Sequence, residues 1–414
     1  MRRLFFNFGI FLLWFSATFA ALAQNEAGNA DVVSEEVDPQ AGDSLVVSLL
    51  TCSEGPLVYE LYGHTALRVR EFYGGNYSDW VFNYGTFSFR QPHFMWRFVL
   101  GKTDYRLAVE PFAFFFEEYR NEGRAVREQR LNLTQDEARR LREALALNLL
   151  PENVTYRYNF FYDNCVTRAL QKIEEAVSGT VVWPEPDDVK SLRDVVHEFS
   201  EPSPWNKFGQ DLLLGAEADR EADVQLRMFA PIYAERYIAL AVVRDSLGVE
   251  RPLANPSVTL LPADPSAFEK PLPLRPLAVF GLLFALILLT TLYEWRNRKY
   301  FWGIDALLYL GQGLVGCILT FLLFFSSHPA VGSNFLCIFF NPLPLLLLPW
   351  FLKHAPSGQR SFVVNLEGVL VVLCMLVGLL SPQKFPPEVW FILATLALRV
   401  ASNHHFVYRI KRAK

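Results

Sequence analysis

The chain has 414 residues, of which 51% are hydrophobic and 15% aromatic, with 36 Phe, five Cys and only 20% charged residues. That is too long for one ordinary domain, too apolar for a disordered chain and too poor in cysteine for a disulfide scaffold. The net charge of −4 hides a split, because residues 24–273 carry 25 Lys and Arg against 39 Asp and Glu, whereas residues 274–414 carry 12 against 4. An acidic first half is a poor match for nucleic-acid phosphates, and a basic, very apolar second half reads as membrane.

In chain order, Arg2 and Arg3 precede an apolar run from Leu4 to Leu22, and Ala21-Leu22-Ala23 stands just before Gln24. A charged start, an apolar middle and an A-x-A exit make residues 1–23 a secretory signal peptide. An uncleaved anchor is the alternative, and the small residues at the exit speak against it. No Cys follows the cleavage site, so the mature protein is not expected to be a lipoprotein itself. Residues 24–43 are polar and expected as a disordered linker. Leu45 to Thr51 reads as a buried strand, Tyr59 to Arg70 as a second, and Asp79 to Gly85 alternates as a third. Phe94 to Leu107 and Pro111 to Tyr119 are dense in aromatics. Thr134 with Glu137 three positions on is a capping box opening a helix. Asn164 to Val177 is another helix, with Val166, Ala169, Leu170, Ile173 and Val177 on one face and Asp163 or Asn164 as N-cap. A further helix is expected over about 217–245, and the Pro-rich stretch 251–275 as a linker. Strands mixed with segregated helices give an α+β domain over 44–250, with no internal repeat.

From Pro276 onward apolar runs recur at spanning length, about 276–293, 304–325, 334–352, 363–380 and 387–402, so that 276–414 is an all-α bundle of five transmembrane helices. Basic residues test the count. Arg296, Arg298 and Lys299 follow the first run, Lys353 and Arg360 separate the third and fourth, and Arg409, Lys411 and Arg412 close the chain. These fall on one side only with five spans, whose opposite loops, Ser326 to Ser333 and Ser381 to Pro387, hold Lys384 alone. The soluble half is thereby expected outside the cytoplasm. The fifth span is the shortest and carries Arg399. Asp305 and Glu367 sit inside runs near their cytoplasmic ends and are assigned to helix pairing or snorkelling.

Cys165 falls in the first turn of a predicted helix. The free N–H groups and dipole there favour thiolate and can hold an oxyanion; Asn164 and Arg168 are candidates for that support. Two other readings stand beside this one: a Cys packed as a small hydrophobe, and half of a disulfide with Cys52, the other Cys expected outside the cytoplasm. Cys317, Cys337 and Cys374 lie in spans and read as packing. His64 is the best-placed base, since it follows Gly63 on a strand and Gly permits close approach of another backbone; a plain strand histidine is the alternative. His93, His197, His328, His354, His404 and His405 fit less well. Asn83 on the next strand is a candidate to orient the imidazole, with Asp79 as second choice. The eleven aromatics from Phe72 to Phe98 read mainly as core, a minority lining an acyl-chain groove or touching the bilayer. With no metal cluster, phosphate loop or nucleotide fingerprint, no cofactor and no metal are expected.

Leu50-Thr51-Cys52, Tyr62-Gly63-His64-Thr65-Ala66, Val81-Phe82-Asn83-Tyr84-Gly85 and Phe161-Tyr162-Asp163-Asn164-Cys165, taken together, resemble the Lnb family of Bacteroides-type lipoprotein N-acyltransferases. Further similar pieces are Gly101 to Tyr105, Glu128 to Thr134 and Asn148 to Asn153. The resemblance implies a periplasmic domain similar to circularly permuted NlpC/papain-like thiol enzymes, followed by a transmembrane domain in the bacterial inner membrane. It implies Cys165 as nucleophile and His64 as base; Asn83 is carried by the reading of the residues alone. The implied reaction moves an acyl chain from a glycerophospholipid to the N-terminal amine of a diacylated lipoprotein, both partners being held in the membrane. Two other readings remain: a peptidase or amidase acting on cell-wall peptides, and a non-enzymatic assembly protein with a Cys52–Cys165 disulfide.

Overall fold

The computed structural model describes residues 44–264, 266, 274–357 and 361–413. The expected signal peptide and residues 24–43 lie outside the described residues.

The sheet domain starts with an antiparallel meander of β1 (Ser44–Cys52), β2 (His64–Tyr73) and β3 (Asn76–Thr86). Then come α1 (Phe94–Val99), β4 (Asp104–Pro111), α2 (Phe112–Asn121), β5 (Val126–Arg130), α3 (Gln135–Asn148), β6 (Thr155–Arg157), α4 (Cys165–Ala176) and β7 (Thr180–Val182). After α5 (Leu192–Ser200), α6 (Pro204–Leu213), α7 (Val224–Arg227) and α8 (Pro231–Leu240), the domain ends with β8 (Val242–Arg244), β9 (Glu250–Pro252) and β10 (Val258–Leu261). Seven strands form one sheet in the order β10-β5-β1-β2-β3-β4-β6, and β7-β8-β9 form a second.

The central strands are apolar almost without interruption because both faces are covered. Leu45, Val47 and Leu49 of β1 join Leu141 and Leu145 of α3 and Val166 and Ile173 of α4 in the main core. Leu50 and Cys52, on the alternate face, meet Phe112, Phe115, Phe116 and Tyr119 of α2. The predicted capping box opens α3, with the Glu137 N–H donating to Thr134 Oγ1 at 3.3 Å and the Thr134 N–H to Glu137 Oε2 at 2.8 Å.

Two expectations are corrected. The helix expected over 217–245 is a 3₁₀ turn (Ala216–Asp219), then α7, α8 and β8. Pro231 has no N–H to give a preceding turn and starts a new helix instead. The expected linker also begins later than residue 251, because β9 pairs with β8 and β10 pairs with β5 at the sheet edge. Pro252 is tolerated since β9 is an edge strand.

The C-terminal part consists of α9 (Pro276–Asn297), α10 (Trp302–Phe325), α11 (Leu343–Leu346), α12 (Leu348–His354), α13 (Phe362–Leu380) and α14 (Pro387–Ala413). Among the described residues, α9, α10 and α13 are long and apolar enough to cross a membrane, and up to four crossings result if the bent pair Phe335–Leu346 and Leu348–His354 counts as one. That pair meets at 59°, where Pro342, Pro344 and Pro349 forbid a continuous helix. The last helix is long, but Arg399, Asn403, His404 and His405 dilute its apolar stretch. Arg399 is fully buried between helices: its Nε donates to Asp305 at 2.8 Å and its Nη1 to Glu294 at 2.5 Å and Thr291 at 3.1 Å. One guanidinium thus ties α9, α10 and α14 together, which is the pairing expected of Asp305. Glu367 of α13 is buried as well, and nearby Gln312 of α10 donates its Nε2 to Phe339 O at 2.9 Å.

The two parts are joined by main-chain bonds. Gly215 N donates to Ala330 O at 2.8 Å, Ala216 N to Ser333 O at 3.1 Å, and Ser327 N to Leu100 O at 2.9 Å. Gln383 Nε2 reaches Leu214 O at 3.2 Å, and Lys384 pairs with Asp194 at 3.0 Å. Both helix-connecting loops read as lying on the soluble domain's side therefore touch it.

Candidate active site

Local geometry brings His64 to the start of β2. Gly63 sits at φ +80, and a Cβ there would lie 2.4 Å from the Cys52 carbonyl oxygen, so only glycine lets β2 begin this close to the end of β1. Cys52 pairs with His64 across the two strands. At the other side of the site Gly85 has φ +89, and its Cβ position is 3.5 Å from the Cys165 Cβ. The chain can turn past the thiol there without covering it.

Cys165 opens α4, and Asn164 is the N-cap. Asn164 Oδ1 accepts from Val166 N at 2.9 Å and Thr167 N at 3.0 Å, and its Nδ2 donates to Phe160 O at 2.9 Å and Phe229 O at 2.8 Å. Every hydrogen-bonding site of that amide is spent on holding the turn. Asn164 is thus a positioning residue rather than a direct donor to an oxyanion. Arg168 is likewise committed, with Nε and Nη2 on Asp163 at 2.6 and 2.8 Å and its guanidinium 3.9 Å from the Tyr156 ring centroid. Its charge is used five residues upstream, not on the sulfur.

The backbone N–H groups of Thr65, Val166 and Cys165 lie near the Cys165 sulfur and favour its thiolate. Thr65 is the residue after His64, so the backbone beside the sulfur belongs to the strand that carries the imidazole. His64 Nε2 lies 3.1 Å from Asn83 Oδ1, and Asn83 Nδ2 donates to Glu110 Oε1 at 2.7 Å. An amide nitrogen only donates, so the Glu110 carboxylate turns the Asn83 oxygen toward the ring. The ring must then carry its proton on Nε2, which leaves Nδ1 as the basic nitrogen. The first-choice orienter is therefore in contact with His64. Asp79, the second choice, is held by Arg68 at 2.6 Å and takes no part.

Electrostatics correct one expectation. The helix N-terminus was expected to favour thiolate, yet burial pushes the Cys165 thiol up to about 11, against the pull of the three N–H groups. Burial also drops the His64 imidazole to about 4, the Asn83 bond opposing this and the Arg124 charge adding to it. At neutral pH the resting pair is a thiol and a neutral imidazole. Cys52 and Cys165 are both free thiols, without the disulfide that was one reading of the pair. Burial raises Cys52 to about 12, and a thiol so placed is inert.

Two family models match this chain: the Lnb N-terminal periplasmic domain over residues 36–195, and the Lnb transmembrane domain over residues 267–411. The chain belongs to the Lnb family. It is thus a multi-pass membrane protein with a periplasmic domain, and His64, Asn83, Glu110 and Cys165 all fall within the Lnb periplasmic match. Phe229, which fixes Asn164, lies between the two Lnb matches. No curated protein and no solved structure is similar enough to the chain to count as a match.

Glu110 escaped the sequence reading. It lies 27 positions from Asn83 on the neighbouring strand β4, most of whose residues are half-buried or exposed. The only available signal was register: β3 pairs with β4 so that Val81 stands opposite Glu110 and Asn83 opposite Ala108. Burial raises the Glu110 carboxyl, with the Asn83 bond opposing.

Proposed function

We propose that this protein is a lipoprotein N-acyltransferase. In this reading residues 44–250 are a periplasmic domain of the circularly permuted NlpC/papain-like type, exported behind a signal peptide at 1–23. Five helices within 276–414 anchor it in the inner membrane, the fourth and fifth crossings adding the bent pair and α14 to the three plainly apolar helices. The observation that carries the reading is the His64–Asn83–Glu110 hydrogen-bond chain, with Cys165 beside the backbone of Thr65, the next residue after His64, on a domain bonded directly to membrane-spanning helices.

The chemistry runs in two halves. As the Cys165 sulfur bonds to the ester carbonyl of a glycerophospholipid, its proton passes to His64 Nδ1. The Asn83 oxygen, accepting from Nε2, stabilises the imidazolium that forms. The N–H groups of Cys165 and Thr65, near the sulfur, are the donors for the tetrahedral oxyanion. Collapse breaks the ester C–O bond, and His64 returns the proton to the departing lysophospholipid oxygen. The amine of a diacylglyceryl-Cys N-terminus then attacks the thioester, His64 takes the amine proton, and the thiol leaves with it. Both substrates reside in the bilayer, so tethering the site there raises their effective concentration over water, which would otherwise hydrolyse the thioester.

Comparison of wild type with Cys165→Ser for lipoprotein triacylation tests this directly; undiminished triacylation in the variant rejects it. A peptidase for cell-wall peptides would use the same pair, but it has no use for several membrane helices where one anchor suffices.

A further inference from the structure

The sheet domain carries an apolar strip that no step above uses. In α1, Met95, Trp96 and Phe98 are 58%, 63% and 44% exposed, while Arg97 is turned inward to Asp104 and the Lys102 carbonyl. Next to them Phe89 is 51% exposed and Tyr59, from the loop that leads into His64, is 49% exposed. Tyr59 meets both Phe87 and Phe89 edge-on, so the two loops form one surface.

The position of that surface indicates what covers it. The Trp96 ring is 6.0 Å from Phe321 near the end of α10, His328 Nε2 lies 2.9 Å from Phe98 O, and Leu100 O accepts from Ser327 N. Phe324 and Phe325, at the end of the same spanning helix, are exposed as well. The short helix α1 therefore lies level with the outer end of a membrane-length helix, where Trp and Phe side chains belong in the headgroup and acyl boundary.

From α1 a row of rings leads inward. Phe98 stacks on Phe94 at 6.2 Å, Phe94 on Phe87 at 5.4 Å, Phe87 meets Tyr105 at 5.0 Å, and Tyr105 stacks on Tyr158 at 4.1 Å. Tyr158 and Cys165 pack against the same hydrophobic core. Phe87 is two residues beyond Gly85 of β3, which borders Cys165 at the start of α4.

We propose that this strip is the path along which one acyl chain of an outer-leaflet glycerophospholipid leaves the bilayer and reaches Cys165. The inference rests on the acyl-transfer reading and adds to it the donor's route and the residues that make it. A chain lifted from the bilayer into water would lose its apolar contact; sliding over the exposed Phe98 and Phe89 and the half-buried Phe87, which pack on the buried Phe94, it keeps that contact.

The test uses the full-length protein in vesicles of one diacyl phospholipid, with acylation of Cys165 read by intact mass, and 4-nitrophenyl butyrate as a water-soluble donor in a second arm. The triple variant Met95→Ser, Trp96→Ser, Phe98→Ser is expected to acylate about tenfold more slowly from the vesicle donor and at the wild-type rate from the soluble ester. The matching triple Leu variant, which keeps an apolar strip, should act as wild type in both arms. Equal rates for wild type and the Ser variant overturn the proposal, as does an equal loss in both arms, which marks a distorted site. Normal acylation with impaired transfer to a diacylated lipopeptide also overturns it, since the strip would then serve the acceptor. If wild type forms no acyl-enzyme from either donor, the acyl-transfer reading fails as well.

Discussion

If burial holds Cys165 as a thiol, its alkylation by iodoacetamide must follow the pH of the solution. A thiol at about 11 has, at pH 7.5, a thiolate fraction of about 3 in 10,000, against about one in ten for an ordinary cysteine at 8.5. That gap is roughly 300-fold. The higher basicity of the thiolate returns about tenfold through its greater nucleophilicity, leaving a rate roughly 30-fold below that of an unstructured peptide thiol. The rate should climb about tenfold per pH unit from pH 7 to pH 10, because each unit multiplies the thiolate population by ten. Site-resolved mass spectrometry on Cys165 in the detergent-solubilised protein reads both numbers. A fast rate that stays level between pH 6 and pH 9 would mean a standing thiolate–imidazolium pair, and the general-base account of the first step would be wrong.

Asn83→Ala removes the acceptor for the developing imidazolium, a charge-assisted bond of about 1.5–3 kcal/mol, and should slow Cys165 acylation about 10- to 100-fold with KM for the donor unchanged; a change confined to KM contradicts the orienting role. Asn164→Ala gives up the cap of α4 and strands the carbonyls of Phe160 and Phe229, and a loss of about 2–4 kcal/mol in unfolding free energy is expected by denaturant titration. A loss below about 0.5 kcal/mol would show that the amide does not hold the turn. At Gly215 a Cβ would lie 2.0 Å from the Gly332 carbonyl oxygen. Gly215→Val should therefore part the sheet domain from the loop between α10 and α11, seen as faster amide hydrogen exchange at residues 214–216 and 330–334; unchanged protection refutes the close junction.

Much of this was legible in the residues, and the exceptions share a cause. Strands β1 to β3, the Thr134 box, the Asn164 cap and the apolar helices are local matters of periodicity and capping, which a few neighbouring residues decide. Gly63 was legible for the same reason, since a glycine before a strand histidine announces a close approach, here to the Cys52 carbonyl. What could not be read depends on partners remote in sequence. Glu110 meets Asn83 only through strand register, and Arg193 is buried against Asp211 and Asp219 with no sequence mark. The break at Pro231 was missed because helical periodicity persists on both sides of it. At Cys165 the helix end is a local favour to thiolate that the residues show, while the opposing desolvation comes from the whole surrounding fold and they do not. Arg168 was read as support for the sulfur, but a nearer acid, Asp163, takes its charge.

The central claim is that one sulfur carries the fatty chain between two lipids. Incubation of the purified full-length protein with phospholipid vesicles, without any lipoprotein acceptor, should leave the acyl group on Cys165 as a hydroxylamine-labile thioester visible in the intact mass. Adding a diacylated lipopeptide should then discharge it onto the peptide amine. A protein that remains unmodified, or one modified at a residue other than Cys165, would contradict the account.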